Sequence, residues 1–299
     1  MELIEKFKVL LKPDTAQAAY EALPEVEVTV DLLEFTDGSI RVVLPNIEHV
    51  IGLNHRYLQV ECFAESMDDF IIVAQIKEIV DRLSRTPKTS TLKVLSTLYT
   101  RYDRPMFPAG NDGFGAKCAA QMINSLNFDF VNFVDCHSDV MIRELNHGIV
   151  GASQMGMASD LVGDLDFYSI VAPDKGALTK NPHADVVCHK VRDTTTGRIT
   201  GMELIRSIRK SESDPLLVID DICEGGRTFI GVAELLEEKY PNVERELYIT
   251  HGVFSNAASI VNLCEKYSKI HVYIMRASLY NSLHEFEQNK LNVKYLVNV

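Results

Sequence analysis

Pro215-Leu216-Leu217-Val218-Ile219-Asp220-Asp221-Ile222-Cys223-Glu224-Gly225-Gly226-Arg227-Thr228-Phe229 is the stretch on which the reading of the chain turns. Its apolar run, Leu216 to Ile219, reads as a buried strand. Two acids close the run, two glycines and a threonine follow, and a helical pattern runs from Phe229 through Ala233, Leu235 and Leu236. Glycines let consecutive backbone N–H groups turn toward an anion. A helix start adds free donors and the positive end of its dipole. Asp220 and Asp221 are acceptors suited to the vicinal hydroxyls of a ribose. Together these parts describe a pocket for a ribose bearing a 5-phosphate. The competing reading is a plain strand-to-helix turn with solvated acids; Asp-Asp at the strand end followed by Gly-Gly-x-Thr makes it the weaker of the two.

On both sides of this stretch, strand and helix patterns alternate, which predicts α/β layers. Strands are expected near 92–98, 130–135, 167–172, 185–189, 215–220, 245–250 and 270–275. Helices are expected near 69–85, 115–126, 228–239 and 257–267. The segment Asn146 to Asp166, with Gly148, Gly151, Gly156 and Gly163, shows little periodicity. It sets the expected boundary between a domain at 1–147 and a second at 148–299. The length, 299 residues, suits two such domains.

The balance of 30 basic against 42 acidic residues gives a formal charge of -12, which argues against general nucleic-acid binding. An anionic substrate then needs local cations. The cysteines at 62, 118, 136, 188, 223 and 264 include no C-x-x-C pair, so a zinc site is not expected. They fit reduced thiols of a cytosolic protein. Acids near Met1 argue against a signal peptide, and no window has the ~20 apolar residues of a membrane span. The expectation is a cytoplasmic protein without membrane or nucleic-acid partners.

Five further clusters fall at expected strand ends or turns, where ligands of α/β sheets gather. Asp135-Cys136-His137-Ser138-Asp139 follows an apolar strand; His137 is a metal or phosphate candidate, although Mg²⁺ favours oxygen, and a capping or packing role competes. Pro173-Asp174-Lys175-Gly176 ends another strand; Asp174 suits a metal, or a simple Pro-Asp turn. Cys188 to Arg198 reads as a strand entering a polar hairpin, with Lys190 and Arg192 two apart and so on one face. Such cations can close over a triphosphate, or simply sit on an exposed hairpin. Tyr99-Thr100-Arg101-Tyr102-Asp103-Arg104 offers arginines for phosphate and tyrosines for stacking. Glu34-Phe35-Thr36-Asp37-Gly38-Ser39 places an aromatic before an Asp-Gly turn.

In this order the clusters resemble the PRPP synthetases (ribose-phosphate pyrophosphokinases; PRPP is phosphoribosyl diphosphate) over nearly the full chain. Phe35 to Ser39 stands where that family has Phe-x-Asp-Gly-Glu, and Tyr99 to Arg104 where it has Tyr-Ala-Arg-Gln-Asp-Arg. Asp135-Cys136-His137 matches Asp-Leu-His, Ala172 to Gly176 matches Ser-Pro-Asp-x-Gly, and Lys190 with Arg192 matches Lys-x-Arg. Asp220 to Thr228 matches the sugar-phosphate loop, which type I phosphoribosyltransferases share. Thr250 to Ser255 is similar to the form in phage and bacterial members linked to NAD salvage, which raises the possibility of a phage protein working in host cytoplasm.

The resemblance implies two tandem type I phosphoribosyltransferase-type domains, each a mainly parallel sheet flanked by helices, assembled as dimers or hexamers. It implies ATP as diphosphoryl donor, held by Phe35, Asp37, Ser39, Arg101, Tyr102, Asp103 and Arg104. It implies Mg²⁺ engaged by His137 and Asp174, and catalysis by Lys190 and Arg192. The acceptor, ribose 5-phosphate, falls to Asp220, Asp221, Glu224, Gly225, Gly226, Arg227 and Thr228. ADP-ribose, which carries the same anomeric hydroxyl, is the alternative acceptor. A phosphoribosyltransferase and a non-catalytic regulatory paralogue are the rival classes. The chain departs from the family pattern at Ser39 (Glu), Tyr102 (Gln), Cys136 (Leu), Lys180 (Arg), Glu224 (Asp) and Arg227 (Gly). The first three touch the ATP and metal regions, and the last two touch acceptor recognition.

Overall fold

A computed structural model describes residues 1–13, 25–50, 55–84, 88–107, 109–192, 199–207, 211 and 214–299, with backbone alone at 49, 50, 192, 199 and 200. The chain forms two compact units, Glu5–Gly151 and Ala152–Val299, and the second also takes in Met1–Ile4. Strand β1 (Glu2–Glu5) therefore belongs with the second sheet.

The first unit contains β2 (Phe7–Pro13), β3 (Val26–Val28), β4 (Asp31–Glu34), β5 (Ile40–Val43), β6 (His55–Cys62), β7 (Thr89–Val94), β8 (Phe130–Phe133) and β9 (Gly148–Ile149). Its helices are α1 (Ile47–Val50), α2 (Asp68–Leu83), α3 (Gly115–Asn124) and α4 (Asp139–Glu144). The sheet runs β3-β2-β6-β7-β8-β9, and β4 with β5 forms a separate hairpin. Strands β6 through β9 pair in parallel, while β2 is antiparallel to β3 and β6. Helix α2 buries Phe70, Ile72, Val73, Ile76 and Val80, the three-and-four spacing of one helical face.

The second unit contains β10 (Ser169–Ala172), β11 (Val186–Arg192), β12 (Ile199–Ser207), β13 (Leu216–Cys223), β14 (Arg245–Gly252), β15 (Lys269–Arg276) and β16 (Leu291–Asn298). Its helices are α5 (Gln154–Val162), α6 (Arg227–Lys239), α7 (Ala257–Lys266), α8 (Ala277–Asn281) and α9 (Glu285–Lys290). The sheet runs β1-β16-β15-β14-β13-β10-β11-β12. Leu216, Leu217, Val218 and Ile219 are all fully buried, as expected of a central parallel strand covered on both faces. Helix α6 seals one face with Phe229, Val232, Ala233, Leu235 and Leu236. Each large side chain so buried contributes about 1.5–3 kcal/mol. Asn256 caps α7 by accepting the Ser259 N–H at 3.0 Å. Among the described residues no helix is long and apolar enough to cross a membrane.

The structure corrects two expectations. The segment Asn146 to Asp166 is not irregular: it holds α5, capped by Ser153, which accepts the Gly156 N–H. Glycines at 151, 156 and 163 hide the helical pattern, and Gly163 ends the helix at φ 106°. The strand expected at 92–98 is β7 and stops at Val94, level with the end of β8 at Phe133. Beyond it the chain turns, with the Thr100 N–H donating to the Thr97 carbonyl at 3.0 Å.

A buried polar chain lies at the start of β14 and β15. Glu246 Oε2 lies 2.7 Å from His271 Nε2 and accepts the Tyr168 hydroxyl at 3.2 Å. Burial pushes the Glu246 carboxyl up, but the bonds to His271 and Tyr168 and the charge of Lys269 outweigh it and hold its pKa below the ordinary value. A carboxylate so depressed adds stability above the unfolded pKa, about 4.3, and loses it as pH falls through the folded value. Glu246→Gln is expected to flatten the fall in melting temperature on acidification through that range. Parallel thermal melts that fall together in both proteins would remove Glu246 from the acid response.

Candidate active site

The second unit gathers its acids and cations where β10, β11 and β13 end. The pairing of β10 with β13 is parallel, as is that of β10 with β11, so their carboxyl ends lie on one edge of the sheet. Asp220 and Asp221 occupy β13 itself, in unbroken register with β14. Consecutive strand residues point to opposite faces. Asp221 is buried, and its Oδ2 takes the Lys180 ammonium at 2.8 Å. Asp220 is half-buried and accepts the Asp221 backbone N–H at 3.0 Å. The pleat therefore divides the tasks that the sequence reading gave to both acids. Asp220 keeps partial exposure, and Asp221 anchors Lys180.

Burial pushes the Asp220 carboxyl well above the usual range, and the charges of Asp221 and Asp174 push it further. Asp174, just past β10, has two bonds of different kinds. Its Oδ1 accepts the Ala177 N–H at 3.1 Å, and its Oδ2 takes Lys190 Nζ at 2.8 Å. Burial raises the Asp174 pKa, but the bond and charge of Lys190, with the Ala177 and Gly176 N–H groups, outweigh it and leave the group below its ordinary value. One oxygen of the side chain thus braces the Pro-Asp turn while the other pairs with Lys190.

Lys190 stands near the end of β11, paired with Met202 of β12. The register slips between Val191 and Arg192, so simple alternation does not carry from Lys190 to Arg192. The Arg192 side chain and the hairpin tip at 193–198 lie outside the described residues.

After β13 the chain turns through Glu224 and Gly225, both exposed, into Gly226 at φ 74°, which precedes α6. That left-handed backbone suits glycine. Arg227 is exposed and Thr228 half-buried at the helix start. A facing turn braces the loop: Phe254 and Ser255 donate their N–H groups to the carbonyls of Cys223 and Glu224, each at 3.0 Å. Burial pushes the Cys223 thiol up to about 12, so it is no nucleophile at neutral pH.

The first unit holds the other sequence-derived residues. Phe35 is exposed between β4 and β5, with the Arg41 guanidinium 5.2 Å above its ring. Asp37 Oδ1 accepts both the Ser39 N–H at 3.0 Å and the Ser39 hydroxyl at 2.7 Å. The Ser39 hydroxyl bond, then its N–H bond, lower the Asp37 pKa. Ser39 thus braces Asp37 inside the turn. Arg101, Tyr102 and Arg104 are exposed, and Asp103 is half-buried beside Arg104, 3.9 Å away. Tyr102 and Tyr99 form a tilted pair, ring centres 6.1 Å apart. A Cβ on Gly115 would lie 2.9 Å from Tyr102 Cβ, so the start of α3 must be glycine for this segment to pack. His137 is exposed just before Ser138, which caps α4.

His137 and Asp174 belong to different units. Among the described residues, no group of three or more His, Cys, Asp or Glu is placed to hold a metal ion. Mg²⁺ needs no such cage: it rests on one or two carboxylates, substrate phosphates and water. The oxygens of Asp174 and Asp220 fit that demand; the imidazole of His137 fits it less well. Sequence reasoning met Lys180 only as a departure and did not single out Gly115. Neither carries a motif signal of its own.

Two mainly parallel sheets flanked by helices, in tandem, define an α/β protein of phosphoribosyltransferase type. No protein-family model matches the chain. It is 26% identical to the ribose-phosphate pyrophosphokinase of Maricaulis maris over 82% of this chain and 79% of that one. It is also 26% identical to the enzyme of the same name from Thermosipho africanus, over 75% and 71%. The crystal structure of phosphoribosylpyrophosphate synthetase from Mycobacterium smegmatis shares its fold, with a TM-score of 0.67 at 17% identity, covering 99% of this chain and 95% of that one. In sequence and in fold the chain is thus similar to ribose-phosphate pyrophosphokinases, or PRPP synthetases.

Proposed function

We propose that the protein is an ATP- and Mg²⁺-dependent pyrophosphokinase that converts ribose 5-phosphate to PRPP. The anomeric oxygen of the acceptor attacks the β-phosphorus of ATP, the bond from that phosphorus to the α,β-bridging oxygen breaks, and AMP leaves. The hydroxyl proton passes to solvent. Such transfer depends on positioning and charge neutralisation more than on a covalent nucleophile. Mg²⁺, when bound, neutralises the phosphate oxygens. Asp220 accepts the ribose hydroxyls, and Asp221 with Lys180 fixes the strand behind it. The N–H groups from Gly225 to Thr228, with the Thr228 hydroxyl, take the 5-phosphate. Lys190 and Arg192 stabilise the transferring group, and Asp174 engages the metal. Phe35, Asp37 and the Arg101–Arg104 segment bind ATP, and assembly into dimers or hexamers belongs to the same proposal.

The observation that carries this reading is the Asp174–Lys190 pair on the sheet edge that bears the Asp220 loop. A phosphoribosyltransferase needs the loop alone. Mass spectrometry of products from ATP, Mg²⁺ and ribose 5-phosphate tests it: AMP and PRPP are expected, and no AMP with any acceptor would leave a non-catalytic paralogue.

A second acceptor, ADP-ribose, is favoured by one feature. Arg227, exposed at the first position of α6, adds a cation next to the loop, the charge that a second phosphate of the acceptor calls for. Arg227→Gly is expected to lower kcat/KM for ADP-ribose by roughly tenfold or more, the scale of one charge-assisted contact, while sparing ribose 5-phosphate. Equal losses on both acceptors, or no turnover of ADP-ribose by the parent protein, would end this reading.

A further inference from the structure

We propose that Lys190 competes with divalent cation for Asp174: its ammonium occupies the carboxylate in the resting protein and leaves for the transferring diphosphoryl group when a cation binds there. The inference rests on the pyrophosphokinase reading and adds an order of events to it.

The geometry makes the two occupants exclusive. Asp174 Oδ1 is committed to the Ala177 N–H, and Oδ2 carries Lys190 Nζ at 2.8 Å. Mg²⁺ binds oxygen at about 2.0–2.1 Å, and a second cation so close to the ammonium would be strongly repelled. A lysine held on Asp174 is also a lysine withheld from substrate. Its side chain is 20% exposed, and it sits on a flexible four-carbon stem at the end of β11, where the exchange needs no rearrangement of the sheet. The surroundings favour the exchange. Two carboxylates hold two ammoniums, Asp174 with Lys190 and Asp221 with Lys180, and Asp220 lies near enough to feel the charges of Asp174 and Lys190. Lys180 stays on Asp221, so departure of Lys190 leaves a negative excess that only another cation offsets. Metal binding and exposure of the catalytic cation thereby become one event.

The prediction runs against intuition: removing a catalytic lysine tightens metal binding. Mn²⁺ titrations of the nucleotide-free full chain, followed by electron paramagnetic resonance, give the dissociation constants. Lys190→Met is expected to bind Mn²⁺ about 2- to 10-fold more tightly than the parent, the range of a partly exposed ion pair. Asp174→Asn is expected to bind it more weakly, and in that background Lys190→Met should add nothing. Lys175→Met removes the same charge from the exposed neighbour of Asp174 and should stay close to the parent value. Unchanged or weaker binding by Lys190→Met overturns the proposal. So does equal tightening by Lys175→Met, or tightening that persists without Asp174.

A second measurement uses the unmodified protein and so does not depend on a variant folding. Acetylation of Lys190, read by peptide mass spectrometry, should rise when Mn²⁺ is added to the parent and stay flat in Asp174→Asn. Labelling indifferent to saturating Mn²⁺ also overturns the competition. Neither measurement involves turnover. PRPP formation by a protein that fails both would refute the competition and leave the pyrophosphokinase reading standing.

Discussion

Lys190→Ala is expected to lower kcat by roughly 10²-fold or more and to change the KM for ATP far less. The expectation follows from where the charge is needed. In the resting protein Lys190 is bonded to Asp174, 2.8 Å away, so whatever it gains on bound ATP is offset by the bond it gives up. In the transition state charge spreads over the oxygens of the moving phosphoryl group, and a cation brought to it there stabilises that state selectively. Removing one such stabiliser commonly costs 10²–10³ in kcat. Arg192→Ala is expected to behave in the same way, from its place two residues on in the same hairpin. Steady-state AMP release at saturating acceptor measures both. A kcat near the parent value in both variants would take this hairpin out of the mechanism.

Gly252→Ala is expected to destabilise the protein by about 1–3 kcal/mol, the usual cost of forcing a methyl into a filled space. An added Cβ at Gly252 would lie 2.5 Å from Phe254 Cε2 and 2.7 Å from Val272 Cγ1, both closer than real side chains approach. Phe254 and Val272 must both give way, and Phe254 already holds a positive φ of 31°. Its N–H is one of the two that brace the Cys223–Glu224 backbone, so its displacement loosens the loop proposed to hold the 5-phosphate. The KM for ribose 5-phosphate should therefore rise more than the KM for ATP. Gly225→Ala is the control for stability alone, because nothing lies within 4 Å of its added Cβ but the residue belongs to the loop itself. Thermal melts and two-substrate kinetics decide the matter. A Gly252→Ala protein as stable as Gly225→Ala would show that the 252–254 turn yields without cost.

The fold was legible wherever one element carried its own signal. The run Leu216 to Ile219 announced β13, and the stripe of apolar residues after Phe229 announced α6. Helix α5 escaped because glycines interrupt its pattern, and the helix is held by a serine cap and by packing instead. In the candidate site, the strand position of Asp220 and the loop and helix-start positions of Gly226 and Thr228 were readable from adjacency alone. The partnerships were not. Lys180 meets Asp221 from 41 residues away and Lys190 meets Asp174 from 16, and no periodicity links either pair. The pleat that turns Asp220 and Asp221 to opposite faces was readable in principle, since it follows from the strand assignment itself.

Strand β1 lies beside β16 in the second sheet, although almost the whole chain separates them. The ribosome releases β1 long before β16, so β1 must wait through the synthesis of the whole Glu5–Gly151 unit before its partner exists. Pairings of such long sequence separation form slowly, because loop closure must precede the contacts that reward it. The Glu5–Gly151 unit has no such dependence and can condense while the rest is being made. Folding of the second unit should thus end with the docking of β1. Until then the outer edge of β16 stays open, and the nascent protein is most exposed there to strand-to-strand misassembly.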